Sequence, residues 1–294
     1  MAVISRKKNR NGMLIEIIML LIAIVIFVVP FINQIAVSFS SGRAILSGEV
    51  YLWPIEFNLE AWRNVFTNRD MINAFYYTIM LTIASTIGQL VCITLAAYPM
   101  AAKKLRGRGL LLAFFMIPMY FSGGLIPTYL LYNDIGLLNN VLVMILPGLF
   151  SMYSMLILRT SFKAIPDSLE ESAKLDGATD FTVLLRIYVP LCVPTFATLA
   201  LFAAVSRWNG FTDAIFFMPN NQKYVPLQLV LQRTMQSIKD QERLMAQGGA
   251  GRVRVVEESQ KAANLLFTVV PIICVYPLLQ KYFVKGVMIG AVKS

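Results

Sequence analysis

Long apolar segments constrain the fold of this chain more than any other feature of its sequence. An α-helix needs roughly 20 apolar residues to cross a bilayer core about 30 Å thick. Of the 294 residues, 57% are hydrophobic and 14% charged, which leaves a soluble domain too little polar surface to face water. The sequence therefore predicts an all-α, polytopic membrane protein with a single transmembrane domain over residues 1–294. Its six predicted transmembrane helices cover residues 13–37, 74–100, 109–131, 141–158, 189–205 and 262–283.

Basic residues are distributed unevenly among the loops that join these segments. Residues 5–10, 103–108 and 159–188 each hold four basic residues. The loop at 132–140 holds none. Because short cytoplasmic loops are enriched in lysine and arginine, this pattern predicts that both termini and the segments 103–108 and 159–188 are cytoplasmic, and that the long loop 206–261 is external.

The first apolar segment has two interpretations, an uncleaved span or a secretory signal peptide. Residues 36–38, Ala-Val-Ser, have the small side chains of a cleavage site. The apolar run at 13–29, however, is longer than the roughly 7–15 residues of a signal-peptide core. The charge pattern is also satisfied without cleavage, so we expect an uncleaved first span.

Several kinds of chemistry are excluded by what the chain lacks. It contains no histidine, which removes histidine-based acid–base catalysis and histidine metal sites. Its three cysteines have no CxxC spacing and indicate neither a disulfide nor a metal site. No GxxxxGK[ST] motif is present, so no phosphate-binding loop is available for ATP. Cytoplasmic lysine and arginine explain the net charge of +10 better than nucleic-acid binding does, and we predict no catalytic residue.

A polar segment, IPDSLEESAKLDGATDF, separates the fourth and fifth predicted spans. Pro166 suits the first turn of a helix, and Ser168, followed three residues later by a glutamate, fits a capping box. Gly177 is placed to end this helix in a left-handed conformation, and Thr179 or Asp180 can cap a second short helix. A solvated loop helix with ordinary caps would have the same signals. Because a rigid helix–turn–helix joins two spans directly, we favour a docking element for a cytoplasmic partner.

The polar segment resembles the EAA loop of ATP-binding-cassette importer permeases. The resemblance is carried by residues 170–173 (EESA), 176–178 (DGA), Ile187 and Pro190, with serine and valine replacing an alanine and a leucine of the family motif. The ending LLQKYFVKGVMIGAVKS and the stretch FSGGLIPTYLLYNDIGLLNN are similar to maltose-type sugar permeases, in particular the complex-oligosaccharide and alginate branch.

This resemblance implies a type I importer of oligosaccharides in a bacterial cytoplasmic membrane. The chain would be a non-catalytic subunit that pairs with a second related permease, with two ATPase subunits and with an extracytoplasmic solute-binding protein. ATP and magnesium would bind to the ATPase subunits, and this chain would hold no cofactor. The tail at 284–294 would reach toward the ATPases. The residues that the resemblance assigns to ATPase contact are Glu170, Glu171, Ala173, Asp176 and Gly177.

Helix breakers and polar residues inside the spans predict a translocation path. Irregular backbone at membrane depth is tolerated where it lies within protein or lines a water-filled cavity. The breakers are Pro30, Pro118, Gly123, Gly124, Pro127, Pro147, Gly148, Pro190, Pro194, Pro271 and Pro277. The candidate path residues are Gln89, Tyr120, Ser122, Tyr153 and Asn209, with Trp208 as a surface for sugar stacking. Hydrogen bonding between helices is the alternative role for each polar residue.

Two alternatives remain open from the sequence. A type I importer permease for a non-sugar solute would share the EAA loop. A secondary transporter or a membrane-embedded enzyme would carry ionisable residues in the middle of its spans, and spans two to six hold almost none. The external loop 206–261 is predicted to face the binding protein, and a simple solvated linker is the alternative.

Overall fold

Helices form all the regular secondary structure of the described residues, because apolar segments in a bilayer must satisfy their backbone groups internally. The computed structural model describes residues 10–103, 105–221, 223–248 and 254–291. Within these ranges there is no β-strand, so the all-α prediction is confirmed. The helices are α1 (Arg10–Ser38), α2 (Gly42–Leu46), α3 (Glu60–Thr67), α4 (Arg69–Ala101), α5 (Arg108–Tyr120), α6 (Leu125–Asp134), α7 (Met152–Lys163), α8 (Asp167–Leu175), α9 (Asp180–Val183), α10 (Val189–Leu191), α11 (Val193–Asn209), α12 (Thr212–Phe217), α13 (Leu227–Gly248) and α14 (Arg254–Ala291).

Two helices of the described residues are long and apolar enough to cross a membrane alone, Met13–Ser38 within α1 and Arg69–Ala101, which is α4. Three further pairs of helical segments reach that length when each bent pair is taken as one span, which brings the number to five at most. The sixth predicted span, 262–283, lies inside α14.

Internal contacts group the chain into two units. The first comprises residues 1–72 and 231–269. The apolar stretch of α1 is not covered by the rest of the chain, as expected of a helix that faces lipid or a partner subunit. Beyond α1, Phe39 stacks on Phe57 at 5.6 Å and on Trp62 at 5.5 Å between ring centroids. The Trp62 Nε1–H donates to Ser38 Oγ at 3.2 Å, so the segment after α1 folds back onto the end of this helix.

The second unit comprises residues 73–230 and 270–294 and contains the polar segment between the fourth and fifth predicted spans. Its buried apolar side chains form two clusters at different levels of α4. One cluster includes Ile93 and Phe162, and the other is built around Leu81. Residues 85–89 of α4 lie between these levels, where polar side chains replace the apolar ones.

Three of the predicted spans are bent. α5 and α6 meet at 111° across residues 121–124, and Gly124 adopts a φ of +85° that favours glycine. The 3₁₀ turns at Val141–Met144 and Leu146–Gly148 meet α7 at 43°. Broken backbone at Gly123-Gly124 and at Pro147-Gly148 is thus confirmed.

The fifth predicted span, 189–205, is not one straight helix. A π-helical segment, Leu184–Tyr188, continues α9, and the chain then bends by 82° at Cys192 before α11. Pro194 lies in the first turn of α11, where a missing N–H leaves no hydrogen bond unmade. The membrane segment therefore begins with a sharp turn and ends later than predicted, at Asn209.

Four prolines that were expected to break helices lie inside continuous ones, so those predictions are wrong. α1 continues through Pro30, α5 through Pro118, and α14 through Pro271 and Pro277. A proline removes one helical hydrogen bond, and within a bilayer the neighbouring groups or a local adjustment can satisfy the freed carbonyl.

Candidate functional site

The polar segment at 164–188 folds as the predicted helix–turn–helix, and its turn follows from Gly177. This glycine has a φ of +82°, and its N–H donates to the Lys174 carbonyl at 3.1 Å. The Ala178 N–H donates to the Ala173 carbonyl at 2.9 Å, which completes a Schellman motif at the end of α8. Thr179 then caps α9 through a bond from the Thr182 N–H to its hydroxyl at 3.3 Å. The predicted termination by Gly177 is confirmed.

The start of α8 differs from the prediction. Pro166 is the N-cap and makes no side-chain capping bond, and the helix begins at Asp167. Ser168 therefore lies in the first helical turn and does not form the predicted capping box, because only an extended N-cap residue places its side chain over the free N–H groups. Asp167 and Glu170 in the first turn complement the helix dipole instead.

Glu170 makes two charge-assisted contacts inside the chain. Lys174 Nζ donates to Glu170 Oε1 at 2.7 Å, and the Tyr188 hydroxyl donates to Oε2 at 2.7 Å. Lys174 also pairs with Asp180 at 2.9 Å. Partial burial raises the pKa of Glu170, but the bonds from Lys174 and Tyr188 lower it more, so its pKa lies below the ordinary value. The bonds to Glu170 and Asp180 raise the pKa of Lys174.

The loop is joined to the ends of the neighbouring membrane segments. Phe162 and Tyr188 are buried with Ile93, and the small side chains of α8 and its turn pack against the same cluster. The Arg159 Nε–H donates to the Met100 carbonyl at 2.8 Å, which ties α7 to the end of α4. Lys103 and Asp167 form an ion pair from the 103–108 loop to α8. α8 and its turn thus pack in the same apolar cluster as residues of α4, α7 and α11.

Of the other predicted ATPase-contacting residues, Glu171, Asp176 and Gly177 are exposed. Ala173 is half-buried and packs against the apolar cluster. Sequence analysis missed Leu175, which is 90% exposed at the end of α8. An apolar side chain on the polar side of an amphipathic helix was the available signal.

A polar cavity of about 340 Å³ lies elsewhere in the same unit, between α4, the segment 148–154 and the end of α11. α4 contributes Ser85 and Gln89 to its wall. The N-terminus of α7 contributes Ser154, and the Ser154 N–H bonds to the Ser151 hydroxyl at 3.3 Å. α11 contributes Arg207.

One predicted path residue, Gln89, lines this cavity, and the others do not. Tyr120, Ser122 and Tyr153 are exposed. Asn209 is also exposed, donates to the Val205 carbonyl at 2.9 Å and accepts from Gln228 at 3.2 Å. The structure thus does not bring the six residues together.

Trp208 corrects a specific expectation. It is only 6% exposed, and its ring packs edge to face on Phe75 with centroids 6.1 Å apart. A ring covered by its own chain offers no face on which a sugar can stack. The large apolar ring instead packs α11 against α4.

Sequence analysis missed Ser85, Ser154 and Arg207. The spacing of Thr82, Ser85, Thr86 and Gln89 was a usable signal, because residues three and four apart share one face of a helix. Arg207 had no such signal, since its inward direction depends on tertiary packing.

The described residues hold no group of three or more acidic or cysteine side chains that could bind a metal ion. The three cysteines are free thiols.

Comparison with known proteins gives a consistent result. Residues 88–289 match the family described as "Binding-protein-dependent transport system inner membrane component". Protein LplC of Bacillus subtilis (strain 168) is 37% identical over 271 residues, which cover 92% of this chain and 90% of LplC. The polygalacturonan/rhamnogalacturonan transport system permease protein YtcP of the same organism is 35% identical over 288 residues, covering 98% of this chain and 100% of YtcP.

A solved structure shares the fold over almost the whole chain. It is the crystal structure of a bacterial ABC transporter involved in the import of the acidic polysaccharide alginate. The match has a TM-score of 0.83 and 29% identity, and it covers 96% of this chain and 100% of that chain.

Proposed function

The chain belongs to the family of binding-protein-dependent transport system inner membrane components, and we propose from this that it is the permease subunit of an ATP-driven importer of oligosaccharides. The observation that carries the proposal is the helix–turn–helix at 164–188, an exposed α8 tied to the ends of α4, α7 and α11. The full-length similarity to a polygalacturonan/rhamnogalacturonan permease supports the choice of oligosaccharides.

In this function α8 is the coupling helix. Each ATPase closure moves the exposed surface around Leu175 and Gly177, and the Glu170–Tyr188 contact carries that movement into the membrane segments. ATP and magnesium bind to the two ATPase subunits and not to this chain, which forms a heterodimer with a second permease. A solute-binding protein delivers the sugar to the external side, where the loop 206–261 faces it. Both termini are then cytoplasmic.

The test is ATP hydrolysis in proteoliposomes that contain this chain, its partner permease and the ATPase subunits. Binding protein loaded with one of a panel of neutral and acidic oligosaccharides is added on the external side. We expect at least one sugar to stimulate hydrolysis and to enter the vesicles. If hydrolysis is stimulated only by a binding protein that carries a non-sugar solute, the substrate is not an oligosaccharide. Uptake driven by an ion gradient without ATP would contradict the proposed importer.

A further inference from the structure

Arg207 places a cationic side chain in the wall of a cavity within a membrane segment. It lies near the end of α11, its side chain is only 14% exposed, and it lines the cavity of about 340 Å³. A cavity of this volume is at the lower end of the roughly 300–1,000 Å³ typical of small-molecule sites. Charged residues in membrane segments are costly and mark ligand or ion pathways.

One nitrogen of the Arg207 guanidinium is held by an ion pair. Arg207 Nη1 donates to Asp213 Oδ2 at 3.2 Å, which fixes its direction. The other arm, Nη2, lies beside Gly148, where an added Cβ would stand 3.3 Å from it. Arginine has five N–H donors in a planar fork, and the contact with Asp213 uses one. Gly148 and Arg207 both line the cavity, and a side chain at 148 would crowd this second arm.

A buried hydroxyl of α4 in the cavity wall lacks a partner. Ser85 is 7% exposed, and its Oγ makes no hydrogen bond to any described residue. Buried polar groups are normally paired, so a ligand in the cavity would satisfy this hydroxyl. Ser154 of α7 is 8% exposed and also lines the cavity, and Gln89 adds an amide. The cavity thus combines one fixed cation with neutral hydrogen-bonding groups.

We propose that this cavity is a subsite for the carboxylate and adjoining hydroxyls of an acidic sugar residue, with Arg207 binding the carboxylate and Ser85, Gln89 and Ser154 the hydroxyls. The proposal rests on the import of oligosaccharides and deepens it, because it makes uronate-containing oligosaccharides the substrate class. A planar carboxylate matches the N–H groups of the arginine fork that Asp213 leaves unused, and a neutral sugar offers them no charged acceptor.

Binding is measured by calorimetry on the complete permease–ATPase complex in nanodiscs, without binding protein. The probes are trigalacturonate, trimannuronate and the methyl ester of each. We expect wild type to bind an acid about tenfold or more tightly than its ester, because hydrogen bonds to charged groups contribute most. Arg207→Gln should abolish this preference, and Arg207→Lys should restore part of it. Asp213→Asn should keep it, because the cation remains.

Ser85→Ala provides a second variant that does not depend on the ion pair. Removing an unpaired buried hydroxyl should leave thermal stability unchanged or raise it, while the affinity for the acid falls several-fold. Thr82→Val is the matched control, because its Oγ is also buried and unpaired on α4 but does not line the cavity. This control should leave the affinity unchanged.

Equal affinity of wild type for acid and ester, no acid binding, or an unchanged preference in Arg207→Gln would overturn the subsite. The subsite would also be overturned if Arg207→Gln and Asp213→Asn both lost thermal stability and the preference for acid over ester to the same extent. That result would mean that the Arg207–Asp213 ion pair has a structural role. Uptake of oligosaccharide by wild type, driven by ATP and binding protein, is measured separately. If uptake occurs while the preference is absent, the subsite fails and the proposed importer stands.

Discussion

At the scale of single residues, Glu170 connects the coupling helix to the membrane segment that follows it. Its two carboxylate oxygens take different partners, Lys174 within α8 and Tyr188 at the end of the π-helical segment. An ATPase that contacts α8 therefore meets a glutamate already bonded within the chain. In the proposed function this glutamate makes the helix and the span move together, and the exposed Glu171 and Leu175 contact the ATPase.

Tyr188→Phe tests this connection while keeping the ring in place. We expect ATP hydrolysis stimulated by the binding protein to fall several-fold, and the free energy of unfolding to fall by about 1.5 kcal/mol, because a hydrogen bond to a carboxylate is lost. Tyr98→Phe is the control, since the Tyr98 ring packs on Tyr188 at 5.1 Å but no bond of its hydroxyl supports α8. Equal effects of the two variants would contradict the role of the Glu170 contact.

A substitution at Gly177 tests the docking of the ATPase separately from the folding of the loop. Its φ of +82° strains any residue with a Cβ, yet an added Cβ would meet no atom of this chain within 4 Å. Asparagine tolerates this conformation better than alanine does. We expect Gly177→Asn to keep the thermal stability within about 0.5 kcal/mol and to weaken binding of the ATPase subunits in pull-down titrations. Unaltered ATPase binding by a stable Gly177→Asn protein would show that α8 does not need a small residue here.

At the scale of elements, the charges around α8 define a pH range for its attachment. A carboxyl group with a lowered folded pKa stabilises above its unfolded pKa and loses this effect as the pH falls through the folded value. Glu170 behaves in this way, from an ordinary value of 4.5. Lys174, raised from 10.5, stabilises below that value and loses the effect only as the pH rises through its folded pKa.

We therefore expect the difference in apparent Tm between wild type and Glu170→Gln to be constant from about pH 5 to pH 9. It should shrink as the pH falls below about 4.5, where protonation of the wild-type carboxyl makes the two proteins alike. Thermal scans across this range provide the measurement. A difference that already disappears near pH 7 would mean that the carboxylate contacts do not hold the loop.

Local sequence signals predicted some elements and not others. The turn at Gly177 and the cap at Thr179 followed from residue types that act on their immediate neighbours, as did the break at Gly123-Gly124. Pro30 and Pro271 misled the prediction, because a proline removes one helical hydrogen bond but does not end a membrane helix when neighbouring groups satisfy the freed carbonyl.

The cavity shows why the remaining site was not predictable. Its walls come from α4, from the start of α7 and from the end of α11, so Gln89, Ser154 and Arg207 are far apart in sequence. Of these walls, only the polar face of α4 could be recognised from the spacing of its residues in the sequence. Trp208 and Arg207 are adjacent, yet one is packed in the core and the other lines the cavity, and hydropathy alone does not assign such directions.

At the scale of the whole molecule, the account describes one subunit of an assembly. The apolar surface of α1 is exposed, and α8 ends in an exposed leucine, Leu175. These surfaces fit lipid or a second permease at α1 and an ATPase at α8. In the proposed function energy enters at α8, and the cavity lined by Arg207 lies in the same unit.

The central claim is that α8 receives the movement of the ATPase, and Leu175 tests it most directly. Leu175 is 90% exposed, so Leu175→Asp leaves the packing of the chain intact, and Leu175→Met is the matched apolar control. The measurement is ATP hydrolysis stimulated by loaded binding protein in proteoliposomes of the complete transporter. We predict a loss of about tenfold or more in Leu175→Asp and near wild-type rates in Leu175→Met, because a buried charge at the interface is strongly unfavourable. Wild-type stimulation in Leu175→Asp would contradict the account.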